Sequence, residues 1–245
     1  MTIPKYIEPV ASEEKYQRLA KLGQELGIPI PETFLEMEVV MPNGNVLTHF
    51  KQRSHSWVRN AYNLLLSTMA SKNLDSGVGE YGAGYLSIKT TAAAVARAAV
   101  GGFVNEVLGA METGGGNGGF LAAAADATIG IQVGSDDTAE AFDDYKLIVP
   151  ITEGVGAQQL SHVAMLAPAK SYAALTQSIV WLRYFNNNTT LLSDVLVKEV
   201  GLITAGHLNG NIKYLVSRDK LGATVTIPAT GQLKVTYTIN LVYPS

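Results

Sequence analysis

The most constraining stretch of this chain is its last one. From Gln232 to Val242 (QLKVTYTINLV) apolar and polar residues alternate without a break. Leu233, Val235, Tyr237, Ile239 and Leu241 share one face; Lys234, Thr236, Thr238 and Asn240 share the other. A period of two means a strand with one buried and one wet face. The pattern extends upstream. Ser178–Phe185 (SIVWLRYF), Val195–Thr204 (VLVKEVGLIT), Ile212–Ser217 (IKYLVS) and Thr224–Pro228 read as strands. Asn186-Asn187-Asn188 and His207-Leu208-Asn209-Gly210-Asn211 punctuate them. Strands with Asn/Gly turns between them form antiparallel sandwiches or barrels. No catalytic motif falls in residues 175–242, so the stretch points to a scaffold.

The front of the chain adds to the same plan. Residues 1–11, with Pro4 and Pro9, read as an extended arm. Ser12 offers an N-cap, and Glu13 and Glu14 suit the positive end of a helix dipole. That helix runs to Leu26, with Tyr16, Leu19, Ala20 and Gly23 on one stripe; Gly27, Pro29 and Pro31 end it. It has two readings: packed on its own domain, or docked on a neighbouring subunit. The second predicts that residues 1–31 order only against another subunit. Phe34–Met41 alternates Leu35, Met37, Val39 and Met41 with Glu36 and Glu38. Asn43-Gly44 is a hairpin signal, since both residues tolerate φ > 0, and Val46–Gln52 is the returning strand. A second helix is expected over 55–71, with Ser54 as its cap. Trp57, Ala61, Leu64, Leu65 and Thr68 recur at helical spacing, beside Val58, Tyr62 and Met69. So wide a stripe needs cover, which predicts that this helix closes one side or end of the sandwich with Trp57 buried. Arg53 and Arg59 flank it as solvated or paired residues.

Residues 72–127 are rich in Gly and Ala and read as an insertion. Tyr85–Thr90 suggests a short strand and Thr91–Met111 an alanine-rich helix. The run Gly114-Gly115-Gly116-Asn117-Gly118-Gly119 lacks the strand, helix and downstream acid of a dinucleotide site, so it reads as a flexible loop. Strands resume at Thr128–Val133, Leu147–Ile151, Gln158–Leu166 and Tyr172–Gln177. Asp136, Asp137, Asp143 and Asp144 do not match EF-hand spacing; turns that use aspartate side chains explain them better.

Composition limits the chemistry. Charged residues are 16%, against roughly 25% in an average domain. A surface short of charge is often one that other subunits cover. The net charge of -3 supplies no basic field for nucleic acid. The absence of cysteine excludes disulfides, zinc thiolates and cysteine nucleophiles. The N-terminus has no apolar signal core, and Ala92–Met111 is too interrupted to span a membrane. His49, His55, His162 and His207 are scattered, and no zinc-protease, hydrolase or Walker motif is present. Glu199 lies inside a strand as a possible buried acid, read as outward or paired. Trp181, Arg183 and Phe185 share a strand face, which suits packing between sheets or, less simply, stacking on a base or sugar. No catalytic, cofactor-binding or metal-binding residue is assigned.

Two segments resemble structural proteins of tailed bacteriophages. One is Ile131-Gln132-Val133-Gly134-Ser135-Asp136-Asp137-Thr138-Ala139-Glu140 with Asp144-Tyr145-Lys146-Leu147 after it. The other is Val197-Lys198-Glu199-Val200-Gly201-Leu202, then Tyr214-Leu215-Val216-Ser217-Arg218-Asp219, then Leu233-Lys234-Val235-Thr236-Tyr237-Thr238-Ile239. Ser217 departs from the pattern, where alanine is common. The resemblance covers the C-terminal half and implies a virion building block without enzymatic activity.

The reading as a whole is mainly β: an antiparallel β-sandwich with one or two flanking α-helices and an extended N-terminal arm. Residues 1–31 form the arm and residues 32–245 the sandwich domain, with the insertion at 72–127. The expected role is a structural protein of a tailed-phage virion. Its partners would be copies of itself and other virion proteins, with no cofactor, nucleic acid or membrane. The alternative is a carbohydrate- or receptor-binding sandwich at a virion tip or cell surface, using an aromatic cluster of Trp181 with Tyr184 or Tyr85.

Overall fold

The structure, a computed structural model, describes residues 5–6, 10–54, 56–70, 88–96, 119–206 and 212–244. Two helices, α1 Val10–Leu26 and α2 Arg59–Ala70, accompany twelve strands among these residues. The strands are β1 Lys5–Tyr6, β2 Ile30–Val40, β3 Val46–Arg53, β4 Ile88–Lys89, β5 Val95–Ala96 and β6 Gly130–Gly134. They continue as β7 Ser161–His162, β8 Ala169–Ala173, β9 Thr176–Asn186, β10 Val195–Gly206, β11 Ile212–Ile227 and β12 Gln232–Val242.

The alternating strand β12 lies inside the larger sheet. It pairs antiparallel along its whole length with β2 on one side and β9 on the other. The sheet order is β1-β3-β2-β12-β9, and β7 and β8 share the far edge of β9. The second sheet is β11-β10-β6. Leu233, Val235 and Tyr237 join Leu35, Met37, Phe50, Trp181 and Phe185 on the inner face of the first sheet. In one continuous core they meet Ile131, Val133, Val200, Leu202, Val225 and Ile227 from the second. The chain is therefore mainly β: two antiparallel sheets, sandwich-like, with two flanking helices. Helix α2 packs on β11, the edge of the second sheet, so it closes one side of the sandwich as the width of its stripe predicts.

Several local expectations change. Both helices begin elsewhere than predicted. Helix α1 starts at Val10 rather than after Ser12. Helix α2 starts at Arg59, because Trp57 bridges Ser217 and the Val58 N–H donates to the Val216 carbonyl, which keeps that backbone extended. Ser54 is consequently no helix cap. Trp57 is only partly buried, and Trp181 is the largest fully buried side chain. Tyr62 and Leu65 are exposed, so the stripe is wider than the face it covers. Thr90 to Ala94 is a tight turn joining β4 to β5 where an alanine-rich helix was expected. The remainder of that helix, Tyr85 and the glycine run up to Gly118 lie outside the described residues. Phe120 and Ala122, assigned to the insertion, belong to the core.

The strands change too. Ile212–Ser217 and Thr224–Pro228 are parts of the single strand β11, bulged opposite Lys198. Leu147–Ile151 runs beside β6 but makes only an isolated bridge at Pro150, which has no N–H for a ladder. Gln158–Leu166 contributes only β7. Tyr172–Gln177 is the β8–β9 hairpin itself, turning at Ala174 and Leu175. The Asn43-Gly44 hairpin forms, but only Gly44 has positive φ, at 81°. The proline ring fixes φ negative at Pro42, inside the turn closed by the Gly44 N–H on the Met41 carbonyl, and the extra residue appears as a bulge near Val40.

Helix α1 rests on its own chain. Arg53 of β3 donates to both carboxylate oxygens of Glu13, at 2.7 and 2.9 Å, and to Glu32 at 3.1 Å. Its guanidinium lies over the Tyr16 and Phe34 rings. Lys5 and Tyr6 pair in parallel with His49 and Phe50 at the sheet edge. Among the described residues, α1 thus packs on its own domain, the first of its two readings. Arg53 ends a strand that the hairpin already fixes.

Candidate functional site

The segment from Ile131 to Leu147 and the strand pair β10–β11 meet in space. Glu199 of β10 and Arg218 of β11 stand diagonally across the strand pair, Glu199 facing Lys220 and Arg218 facing Gly201, and both are completely buried. Arg218 Nε donates to Glu199 Oε2 at 2.7 Å, and its Nη1 donates to Asp144 Oδ2 at 2.9 Å. The Thr138 and Ala139 carbonyls accept from the same guanidinium, at 2.9 and 3.3 Å. Glu199 also accepts from the Ile148 and Val149 N–H groups, at 3.2 and 3.0 Å. Burial works against the Arg218 charge, but Glu199 and Asp144 outweigh it and hold its pKa above the ordinary arginine value.

The quoted residues thereby acquire reasons. Gly134 is glycine because a Cβ there would collide with the Glu199 carboxylate. Gly201 is glycine because a Cβ would press on Leu147 at 2.9 Å and Leu215 at 3.0 Å. Glu140 accepts from the Lys220 N–H, and Asp136 from the Thr138 N–H. The aspartates are used in turns and ion pairs: Asp143 binds Arg59, and Asp137 lies 3.4 Å from Lys198. The departing Ser217 also has a task. With Ser54 it donates to Asp219 Oδ2, at 3.2 and 2.7 Å. The Tyr237 hydroxyl lies 2.9 Å from Ser217 and 2.6 Å from Ser54. Burial pushes the Tyr237 pKa up, so its hydroxyl stays protonated.

Trp181, Arg183 and Phe185 all face inward and are completely enclosed. None can stack on a sugar or base, and Tyr184 points to the opposite face of the strand. Arg183 donates to five carbonyls, those of Val163, Ile129, Ile131, Ala123 and Asp126, at 2.6–3.4 Å. This matches the five N–H donors of a guanidinium. Burial lowers its pKa to about 10, and it remains charged at neutral pH. Beside it His162 is buried against the Phe185 ring, with Nδ1 at 3.0 Å from Glu153 and 2.9 Å from the Leu160 carbonyl. Burial, then the Arg183 charge, holds the His162 pKa below its ordinary value.

The outer face of the large sheet carries the one group among the described residues whose ligand atoms could hold a metal ion: Glu36, Glu38 and His49. In sequence the histidines are scattered and no metal ligand is expected; His55 and His207 lie outside the described residues. A signal was present. Alternation puts Glu36 and Glu38 on one face, and the Asn43-Gly44 hairpin brings His49 opposite Glu38. Elsewhere, a shallow hollow of about 280 Å³ is lined by Ser56, Trp57, Glu140, Ala141 and Phe142. None of the helices in the described residues is long and apolar enough to cross a membrane. Comparison with protein-family models, curated proteins and solved structures found no match.

Proposed function

We propose that the chain is a structural protein of a tailed-phage virion that assembles through contacts with copies of itself and with other virion proteins. What carries the reading is the convergence of the two resembling segments. Their distinctive residues, Gly134, Thr138, Asp144, Glu199, Gly201 and Arg218, lock one loop onto one strand pair. The resemblance therefore rests on the residues that hold the fold together. Exposed apolar side chains add support: Leu19, Leu22, Leu26 and Ile28 along α1 and its exit, and Leu191 and Leu192 between β9 and β10. On a surface poor in charge, such residues suit contact with a neighbour. The role is one of building, with no chemical step.

The test is the size of the purified chain by light scattering across a concentration series, with negative-stain microscopy of the same samples. Rings, tubes or sheets of regular repeat are expected. A compact monomer at every concentration would overturn self-assembly.

A further inference from the structure

We infer that Glu36, Glu38 and His49 form a site for a late first-row divalent cation of the zinc class, on the outer face of the large sheet. Glu36 and Glu38 stand two apart on β2 and project to the same face; His49 stands directly across from Glu38 on β3. One imidazole nitrogen and one oxygen from each carboxylate lie within 4.8 Å of one another. His49 Nε2 is already 2.6 Å from Glu36 Oε1. That hydrogen bond holds a proton where the ion would go, and small side-chain rotations would bring all three atoms to zinc-ligand distances of about 2.0–2.2 Å.

The backbone needs no movement. Strand β2 is clamped between β3 and β12, and Met37 and Phe50, the neighbours of these ligands, are anchored in the core. Lys234 of β12 donates to Glu38 Oε2 at 2.7 Å. It fixes that carboxylate and leaves the other oxygen for the ion, as outer partners of metal ligands do. The ligand type selects the metal. One imidazole with two carboxylates suits zinc and its neighbours, whereas magnesium and calcium favour larger, all-oxygen shells. All four side chains are about one-third exposed, so the ion has access and a fourth position faces solvent.

The test uses the full chain without a histidine tag, titrated with zinc chloride by calorimetry and followed by thermal unfolding. One saturable site is expected, and zinc at about one hundred times its Kd should raise Tm by roughly 5–10 °C. His49→Ala and Glu36→Gln should each weaken zinc binding at least about tenfold. Both residues are part-exposed, and circular dichroism of the metal-free variants shows whether the fold is kept. Should either variant misfold, Glu38→Gln takes its place. No saturable site, or binding unchanged in the folded variants, would overturn the proposal. Calcium stabilising the chain as strongly as zinc would overturn the zinc-class assignment.

Discussion

Single residues here are held by enclosed charged partners. Glu199 and Arg218 are the plainest case, since each is enclosed and each neutralises the other. Removing one member of a buried pair strands the other and costs about 3–5 kcal/mol. Glu199→Ala is therefore expected to lower the urea midpoint sharply, and it also frees the Ile148 and Val149 N–H groups. His162 behaves differently, because the folded chain prefers it neutral. Its folded pKa lies below the ordinary 6.5. Below pH 6.5 the unfolded chain takes up a proton that the folded chain refuses, so stability falls as pH drops through that value. Urea midpoints at pH 7.5, 6.5 and 5.5 should decline for the native chain more steeply than for His162→Asn. Equal slopes would remove His162 from the acid response.

Among the elements, α1 is held by charge and the β8–β9 hairpin is strained. Glu13 is stabilised as a carboxylate by the Arg53 hydrogen bonds, which lower its pKa below 4.5. Its contribution to docking is complete above pH 4.5 and is lost as pH falls through the depressed value. Amide exchange across α1 should accelerate in acid before exchange in β12 does, and Glu13→Gln should show fast exchange already at neutral pH. In the hairpin, Ala174 and Leu175 have φ of 47° and 63°. Left-handed backbone costs an L-residue with a Cβ roughly 1–2 kcal/mol. Asn-Gly suits this two-residue turn far better. The double variant Ala174→Asn, Leu175→Gly is expected to raise stability by about 1 kcal/mol, read as a higher urea midpoint with an unchanged slope.

At the scale of the whole molecule, one core joins both sheets, and Trp181 fills its middle with its ring 5.6 Å from that of Phe120. Trp181→Ala should cost about 3–5 kcal/mol, a large share of the ~5–15 kcal/mol that holds a domain together. Trp57 packs at the margin and is partly exposed, so Trp57→Ala should cost clearly less. Thermal melts of the two variants side by side decide the ranking; equal losses would contradict the placement of Trp57.

The strand β12 was legible residue by residue, because a period of two has only one structural meaning when one face must be buried. The mainly β class, the β2–β3 hairpin and both helices followed from patterns of the same local kind. Tertiary structure alone decided the rest. Strands such as Leu147–Ile151 and Gln158–Leu166 look extended in sequence, yet few of their backbone groups find a ladder partner. In sequence Ser54 reads as a helix cap and nothing marks Ser217 or Asp219 as buried; the arrival of Tyr237 from the far end of the chain completes their buried network. Glu199 and Arg218 are nineteen apart in sequence and Asp144 is far upstream. Their pairing depends on the β10–β11 register and on the segment from Thr138 to Val149 lying over it, since a charge is enclosed only where distant segments close over it. Local periodicity reports which face is wet, and long-range packing determines which polar groups meet on the dry one.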